Sequence, residues 1–490
     1  MKKFFICFLL CFLICTVLVC CTNSNESTLN IEEENSKDVT INKSDDLIAL
    51  SEIWMYGKQL SPFWNEKRSN EWDKLYEQSI NKLLNYSNSK NNQYEVYEVF
   101  EEFVSFLEDG HVAAFPSQNQ TDNIGFIPYF FSYYDGGYYI TSKSMDADIP
   151  LGSEVVEINN IPIGTYILQL DKKVGLKTKG AYENSAIQRI SHDKFNTSIN
   201  ITFISSKTGE RETVELLYNI KYNEAYNMEL DVLQYEYFSN NPIYSSSNYW
   251  ITSFDSTIYL WISSFGDDNM VIEFYNNVLP IINKYDNLII DIRNNNGGNA
   301  NNGKLILELL SGVKVADGKA FAQYNNVYDI AVASLSKLGK IELKDNIAGY
   351  NMLINSNIID ANELNISTYK ETTLSSLGIN IYNLFKGKIG ILTSYRTASA
   401  AEDFVMFAKQ LKQCKVYGTN TKGATGQIAC FGLKNKMLFT LSVLDYRTNE
   451  GNKIQNVGIE PDFHVEQDMQ SFINGIDNQL NYVIKNMNGE

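Results

Sequence analysis

Apolar positions follow three successive patterns along the chain. From Asp46 they recur at helical spacing: Trp54, Trp64, Trp72, Leu75, Leu83 and Leu84 predict two helices broken near Pro62. Val96, Phe100, Phe103 and Leu107, spaced by four, three and four, predict a third helix with one buried face, stopping at Glu108-Asp109-Gly110-His111. Between about Ile124 and Tyr218 the period shortens to two. Gly152 to Ile163 reads as strand alternation with a tight turn. Ile201-Thr202-Phe203-Ile204 and Thr213-Val214-Glu215-Leu216 flank a Lys207-Thr208-Gly209-Glu210 turn. From Tyr249 strand and helix alternate. Strands are expected at 257–262, 288–292 and 388–393, and helices at 271–285, after Gly303, and at 400–411. The weakly periodic stretch 313–385 is too long for an ordinary loop and predicts an insertion or lid.

The N-terminus adds a location. Lys2 and Lys3 precede an apolar run from Phe4 to Val19, too short for a stable membrane span and read as a secretory signal peptide. The run ends Leu18-Val19-Cys20-Cys21, close to a bacterial lipoprotein signal. Cys21 is the expected lipidated residue, with Cys20 and plain secretion as the alternatives. Residues 21–45, rich in Asn, Ser, Glu and Lys, then serve as a flexible tether in the cell envelope, on the periplasmic or outer side. Five of the seven cysteines lie in this leader; the remaining pair, Cys414 and Cys430, makes neither a disulfide framework nor a zinc site. At 490 residues, two to three domains are expected. A net charge of -17 disfavours nucleic acid and anionic lipid, leaving a lipid anchor as the membrane contact.

Three short stretches could carry chemistry. Ser399 lies between a buried strand and a helix, in Arg396-Thr397-Ala398-Ser399-Ala400-Ala401-Glu402. Ser399 and Glu402 also fit a helix-capping box, yet such a corner exposes a hydroxyl beside free backbone N–H groups. Asn296-Gly297-Gly298 after Asp291-Ile292-Arg293 is either a plain turn or a loop whose backbone can approach a carbonyl and stabilise an oxyanion. His111, one of three histidines, is either a surface residue or the base a serine requires.

Taken in order, "Leu-x-Asp-Gly-His", "Ile-Ile-Asp-x-Arg-x-Asn-x-Gly-Gly", "Thr-Ala-Ser-Ala-Ala-Glu" and the closing Gly458-Ile459-Glu460-Pro461-Asp462 resemble the C-terminal processing peptidases and the tricorn-protease core. The resemblance runs from about Leu47 to Val465. It implies an α+β multidomain protein with 46–120 helical, 121–218 PDZ-like, 219–465 an α/β core of the ClpP/crotonase-like type, and 466–490 a C-terminal helix. It further implies a serine endopeptidase without metal or cofactor, acting on peptides or protein tails. Ser399 is then the nucleophile and His111 the base, with N–H groups of Gly297 or Gly298 and Ala400 at the oxyanion. The processing-peptidase lysine position falls on Ala424, with Lys422 two places early, which favours the histidine branch. The tricorn core orients its histidine through a neighbouring serine and a late glutamate; Gly110 and Gln455 stand there in this chain. Gln455 is therefore the candidate orienter, and Gln455→Glu is expected to raise turnover. Ile124-Gly125-Phe126 resembles a PDZ carboxylate loop, making Gly125 and Phe126 the expected peptide-binding residues. The rival reading is a catalytically weak peptide-binding lipoprotein.

Overall fold

The computed structural model describes residues 43–64, 66–86, 92–322, 359–360, 373–380 and 384–489. The signal peptide, Cys21 and almost all of the tether lie outside the described residues, as does most of the 313–385 insertion.

The helical front is formed by Lys43–Leu60, Glu66–Tyr86 and Gln93–Ser105. The four-three-four spacing does what it predicts: Val96, Phe100, Phe103 and Leu107 are all buried, and Trp72 stacks on Phe103 at 3.9 Å. Leu84, expected inside, faces outward beside the buried Leu83. A hairpin from far down the chain completes this core. Its strands Ile428–Gly432 and Leu438–Ser442 extend Ala113–Phe115, and Tyr56 stacks on Phe431 at 4.2 Å. Each apolar side chain so buried contributes roughly 1.5–3 kcal/mol, enough to hold the hairpin on the helices.

The middle segment is a seven-stranded antiparallel sheet. Its continuous path runs Leu230–Val232, Gly137–Ser144, Glu154–Ile158, Ser198–Ile204, Arg211–Leu217. Helix Ala181–Gln188 packs against it. Two pieces that the sequence assigned beyond residue 218 pair with this segment: Leu230–Val232 joins the seven-stranded sheet beside Gly137–Ser144, and Ile220–Lys221 pairs with Ile124–Phe126 in a separate three-stranded sheet. The second pairing overturns an expectation. Ile124–Phe126 is bonded on one edge to Ile220–Lys221 and on the other to His192–Lys194, so neither edge can take a peptide strand. A Cβ at Gly125 would lie 2.0 Å from the Tyr218 carbonyl oxygen, leaving no room for a carboxylate there.

The core sheet is ordered Tyr244–Ser245, Tyr249–Phe254, Thr257–Ile262, Asn287–Asp291, Lys388–Thr393, Cys414–Gly418, Phe463–His464, and is parallel from Thr257–Ile262 onward. Asn287–Asp291 is buried at every position, as parallel strands covered on both faces are. One face carries Ala300–Ser311 and Ala400–Ala408; the other carries Leu480, Val483 and Met487 of Asn478–Asn488. The helix expected over 271–285 runs from Met270 to Ile282 with a π turn at Phe274–Val278, just before Pro280, which has no N–H to continue the ladder. Among the described residues neither Cys414 nor Cys430 is in a disulfide.

Candidate active site

Strand Lys388–Thr393 turns into helix Ala400–Ala408 through a corner with Ser399 at its tip. Ser399 has φ 56° and ψ −129°, a conformation that costs a non-glycine residue about 1–3 kcal/mol and persists only where its surroundings enforce it. Those surroundings are hydrogen bonds. Thr397 Oγ1 donates to the Ile292 carbonyl at 2.9 Å, and the Ala398 and Ser399 N–H groups donate to Asn295 O at 3.1 Å and Ala424 O at 2.7 Å. The capping box forms by one half only. Glu402 accepts the Ser399 N–H at 3.3 Å, but the serine hydroxyl does not cap the helix. Fully buried, Glu402 also accepts from Thr421 Oγ1 at 2.6 Å and from the N–H groups of Gly423 and Ala424 at 2.8 Å. One carboxylate thus clamps the 421–424 loop to the corner and leaves the hydroxyl uncommitted to the helix.

The glycine pair meets this corner directly. Gly297 has φ 107°, and a Cβ there would lie 2.7 Å from Ser399 Cβ and 2.8 Å from Ala400 N. Its own N–H is turned to Asn295 Oδ1 at 2.9 Å, which corrects its expected role as an oxyanion donor. Gly298 and Ala400 remain. The Gly298 N–H enters no backbone bond of the described loop, and Ala400 opens a helix, where no intrahelical carbonyl lies behind its N–H. Asp291 and Arg293 serve the loop from below: Arg293 pairs with Asp291 and, at 2.6 Å, with Asp477, all three buried.

His111 approaches from the helical front. A Cβ at Gly110 would lie 2.3 Å from Ala424 Cβ, so only glycine lets the 109–111 turn press on the loop whose Ala424 carbonyl binds Ser399. His111 and Ser399 therefore flank the same loop. The imidazole Nδ1 lies 3.1 Å from Ser442 Oγ, and that hydroxyl donates to Asp109 Oδ1 at 2.9 Å. Asp109 is held in turn by the N–H groups of His111 at 2.9 Å and Ser442 at 2.6 Å. Gln455, expected to orient the base, does not touch the imidazole. Its amide reaches Asp109 Oδ1 and the Glu108 carbonyl at 3.5 Å and accepts the Thr425 N–H at 3.2 Å. Ser442 was invisible in the sequence because it lies 331 positions from His111. Asp109 was named only as part of its triplet.

Burial, and then the Lys422 cation, push the His111 imidazole down to about 3, with a hydrogen bond to the Thr425 backbone working the other way. It is neutral at pH 7, the proton-accepting form. Burial pushes Lys422 down to about 8, against the pull of Glu402, and raises the Asp109 carboxyl. A cavity of about 270 Å³ opens beside His111 and Lys422 and reaches Phe126, Arg189 and His192. Among the described residues no group of three His, Cys, Asp or Glu side chains converges to hold a metal ion.

Residues 256–465 match the model of peptidase family S41. No curated protein sequence matches the chain. Among solved structures, mature CPAF complexed with lactacystin is 16% identical, with a TM-score of 0.65 over 91% of this chain and 99% of that one. Mature CPAF alone is 15% identical, with a TM-score of 0.63 over 91% and 98%. These likenesses show a shared fold. A putative peptidase from Parabacteroides merdae is 14% identical, at a TM-score of 0.48 over 92% and 97%.

Proposed function

We propose that Ser399 is the nucleophile and His111 the base of this chain, a serine peptidase of family S41 through its match over 256–465. One observation carries the reading: Ser399 is held in a strained corner, its hydroxyl unused by the helix, with Gly297 packed against it and the Gly298 and Ala400 N–H groups at hand. Ser399 Oγ attacks the peptide carbonyl while His111 takes its proton, and the oxyanion is stabilised by those two N–H groups. The imidazolium returns the proton to the leaving amine. Water then repeats the sequence on the acyl-enzyme and restores Ser399. Ser442 and Asp109 are positioning residues. The serine hydroxyl accepts the Nδ1–H and donates its own hydrogen to the Asp109 carboxylate, which holds the ring and favours the tautomer protonated at Nδ1.

A second reading has Lys422 as base, favoured by its buried ammonium on the cavity wall beside His111 and its ionisation at about 8. Labelling with a fluorophosphonate tests the nucleophile. Wild type should be labelled and Ser399→Ala should not, with turnover falling about 10⁶-fold; equal labelling, or an unlabelled wild type, overturns the proposal. The latter result would favour the weak peptide-binding reading.

The leader supports export and lipid attachment at Cys21 in the cell envelope. A Cys21→Ala form should move from the membrane to the soluble fraction, and retention would refute the anchor.

A further inference from the structure

Arg293 is buried and Arg189 and Arg396 are partly buried, and the first two are answered by acids. Arg293 pairs with Asp291 and Asp477, and Arg189 pairs with Glu101. Arg396 is different. Among the described residues no carboxylate lies within ion-pair distance of it. Its Nη1 donates to Tyr134 Oη at 2.7 Å and Asn294 Oδ1 at 3.3 Å, and its ring neighbours are Tyr134 and Tyr395. Its Nη2 is shut off from solvent with no hydrogen-bond partner at all. The cation is only partly buried, but its Nη2 is a shut-off donor left unpaired, which is costly, so its retention calls for a partner that comes and goes.

The place for that partner is beside it. Arg396 lines a cavity of about 110 Å³ whose other walls include Tyr134, Tyr235, Phe238, Trp261 and Phe472. A second cavity, of about 50 Å³, shares all of these walls. The volume approaches the ~150 Å³ of a cavity that takes up benzene, so one side chain fits and a folded segment does not. In the larger cavity these rings are joined by neutral polar side chains, with Arg396 its one charged residue, whereas the smaller is also lined by Asp291, Arg293 and Glu466. Asn294 and Asn296 line the larger cavity as well, and Asn295 between them binds the Ala398 N–H next to Ser399. The cavity is therefore walled by the same 294–296 loop that holds the Ser399 corner.

We infer that this cavity is a substrate subsite in which Arg396 binds a carboxylate attached to an apolar group. The inference rests on the peptidase reading for its biological use, but not for its test. Two sources supply that chemistry: the free C-terminus of a peptide ending in an apolar residue, or an acidic side chain within the peptide. Elsewhere the chain is strongly acidic, at a net -17, so an unpaired guanidinium at this point selects an anion locally rather than by overall attraction.

Binding of 3-phenylpropionate and of its amide to the full chain, followed through Trp261 in the cavity wall and by calorimetry, tests the subsite without catalysis. Wild type should bind the acid at least about tenfold more tightly than the amide, as expected for a charge-assisted hydrogen bond. Arg396→Gln should bring the two within about twofold, and Arg396→Lys should keep part of the preference. Thermal unfolding of each variant establishes that it is folded. Peptides ending in Phe carboxylate or Phe carboxamide, and internal Glu or Gln pairs, then separate the two sources through their acid-to-amide ratios of kcat/KM. Equal binding of acid and amide by wild type, binding of neither, or a preference that survives Arg396→Gln overturns the inference. A missing preference with intact fluorophosphonate labelling would sink the subsite and leave the peptidase reading standing.

Discussion

Titrating kcat/KM from pH 5 to 9 for wild type and Lys422→Met separates the two candidate bases by shape as well as by size. The methionine keeps most of the apolar stem and removes the cation that helps to depress His111. With the imidazole ionising at about 3, it is about 99% neutral at pH 5 and fully neutral at pH 7, so wild-type activity should be level across that interval. An unperturbed histidine at 6.5 would be only about 3% neutral at pH 5, so its activity would fall some 25-fold between pH 7 and 5. A lysine base at about 8 would be about 9% deprotonated at pH 7 and about 91% at pH 9, giving a tenfold rise where the histidine gives none. In Lys422→Met the acid limb should move up toward 6.5, because one of the two causes of the depression is gone. One fluorogenic peptide at constant ionic strength suffices, with circular dichroism at each pH to exclude unfolding. A tenfold rise between pH 7 and 9, abolished together with activity in Lys422→Met, would refute the histidine assignment.

Four further changes probe the corner and its supports. Gly297→Ala sets a methyl 2.7 Å from Ser399 Cβ at φ 107° and should lower kcat at least 100-fold and stability by about 1–3 kcal/mol; full kcat would show that the close approach is dispensable. Ser442→Ala cuts the path from imidazole to Asp109 and should cost about 10²–10⁴ in kcat with KM little changed, whereas an equal rise in KM would point to substrate contact instead. Gln455→Glu, expected from sequence to raise turnover, should lower it, since the new carboxylate would face Asp109; a higher kcat would return position 455 to the mechanism. Glu402→Gln replaces an acceptor of four hydrogen bonds and should lower both the melting temperature and kcat, and an unchanged Tm would contradict the clamp.

What the sequence disclosed was whatever local chemistry writes into neighbouring residues. The face made by Val96, Phe100, Phe103 and Leu107, the buried strand at 287–291 and the strand-to-helix corner at Ser399 each follow from spacing within about a dozen residues. Failures came where distant segments meet. Ile124–Phe126 reads as a free strand start until Ile220–Lys221 and His192–Lys194 close on its two sides. Gln455 was assigned to the imidazole by position in a motif, yet its amide is spent on Asp109, Glu108 and Thr425. Ser442 sits in a stretch with no feature except strand alternation, and only the return of its hairpin to the helical front gives it a role. Arg396 was read as part of a motif, and only the fold shows that among the described residues its partners are Tyr134 and Asn294 with no carboxylate in ion-pair distance.

That returning hairpin also sets an order of events in time. His111 is synthesised early, but the Ser442 hydroxyl that holds its ring arrives 331 residues later, and the 421–424 loop that Glu402 clamps arrives only slightly before. During synthesis the early segments emerge first and wait, with the helical front lacking the Phe431, Phe439 and Leu441 face that fills its core. The seating of His111 and the closing of the helical front are therefore acquired late in the chain's synthesis. A product that stops anywhere before the hairpin has neither the Ser442 contact that seats the His111 ring nor a closed helical front.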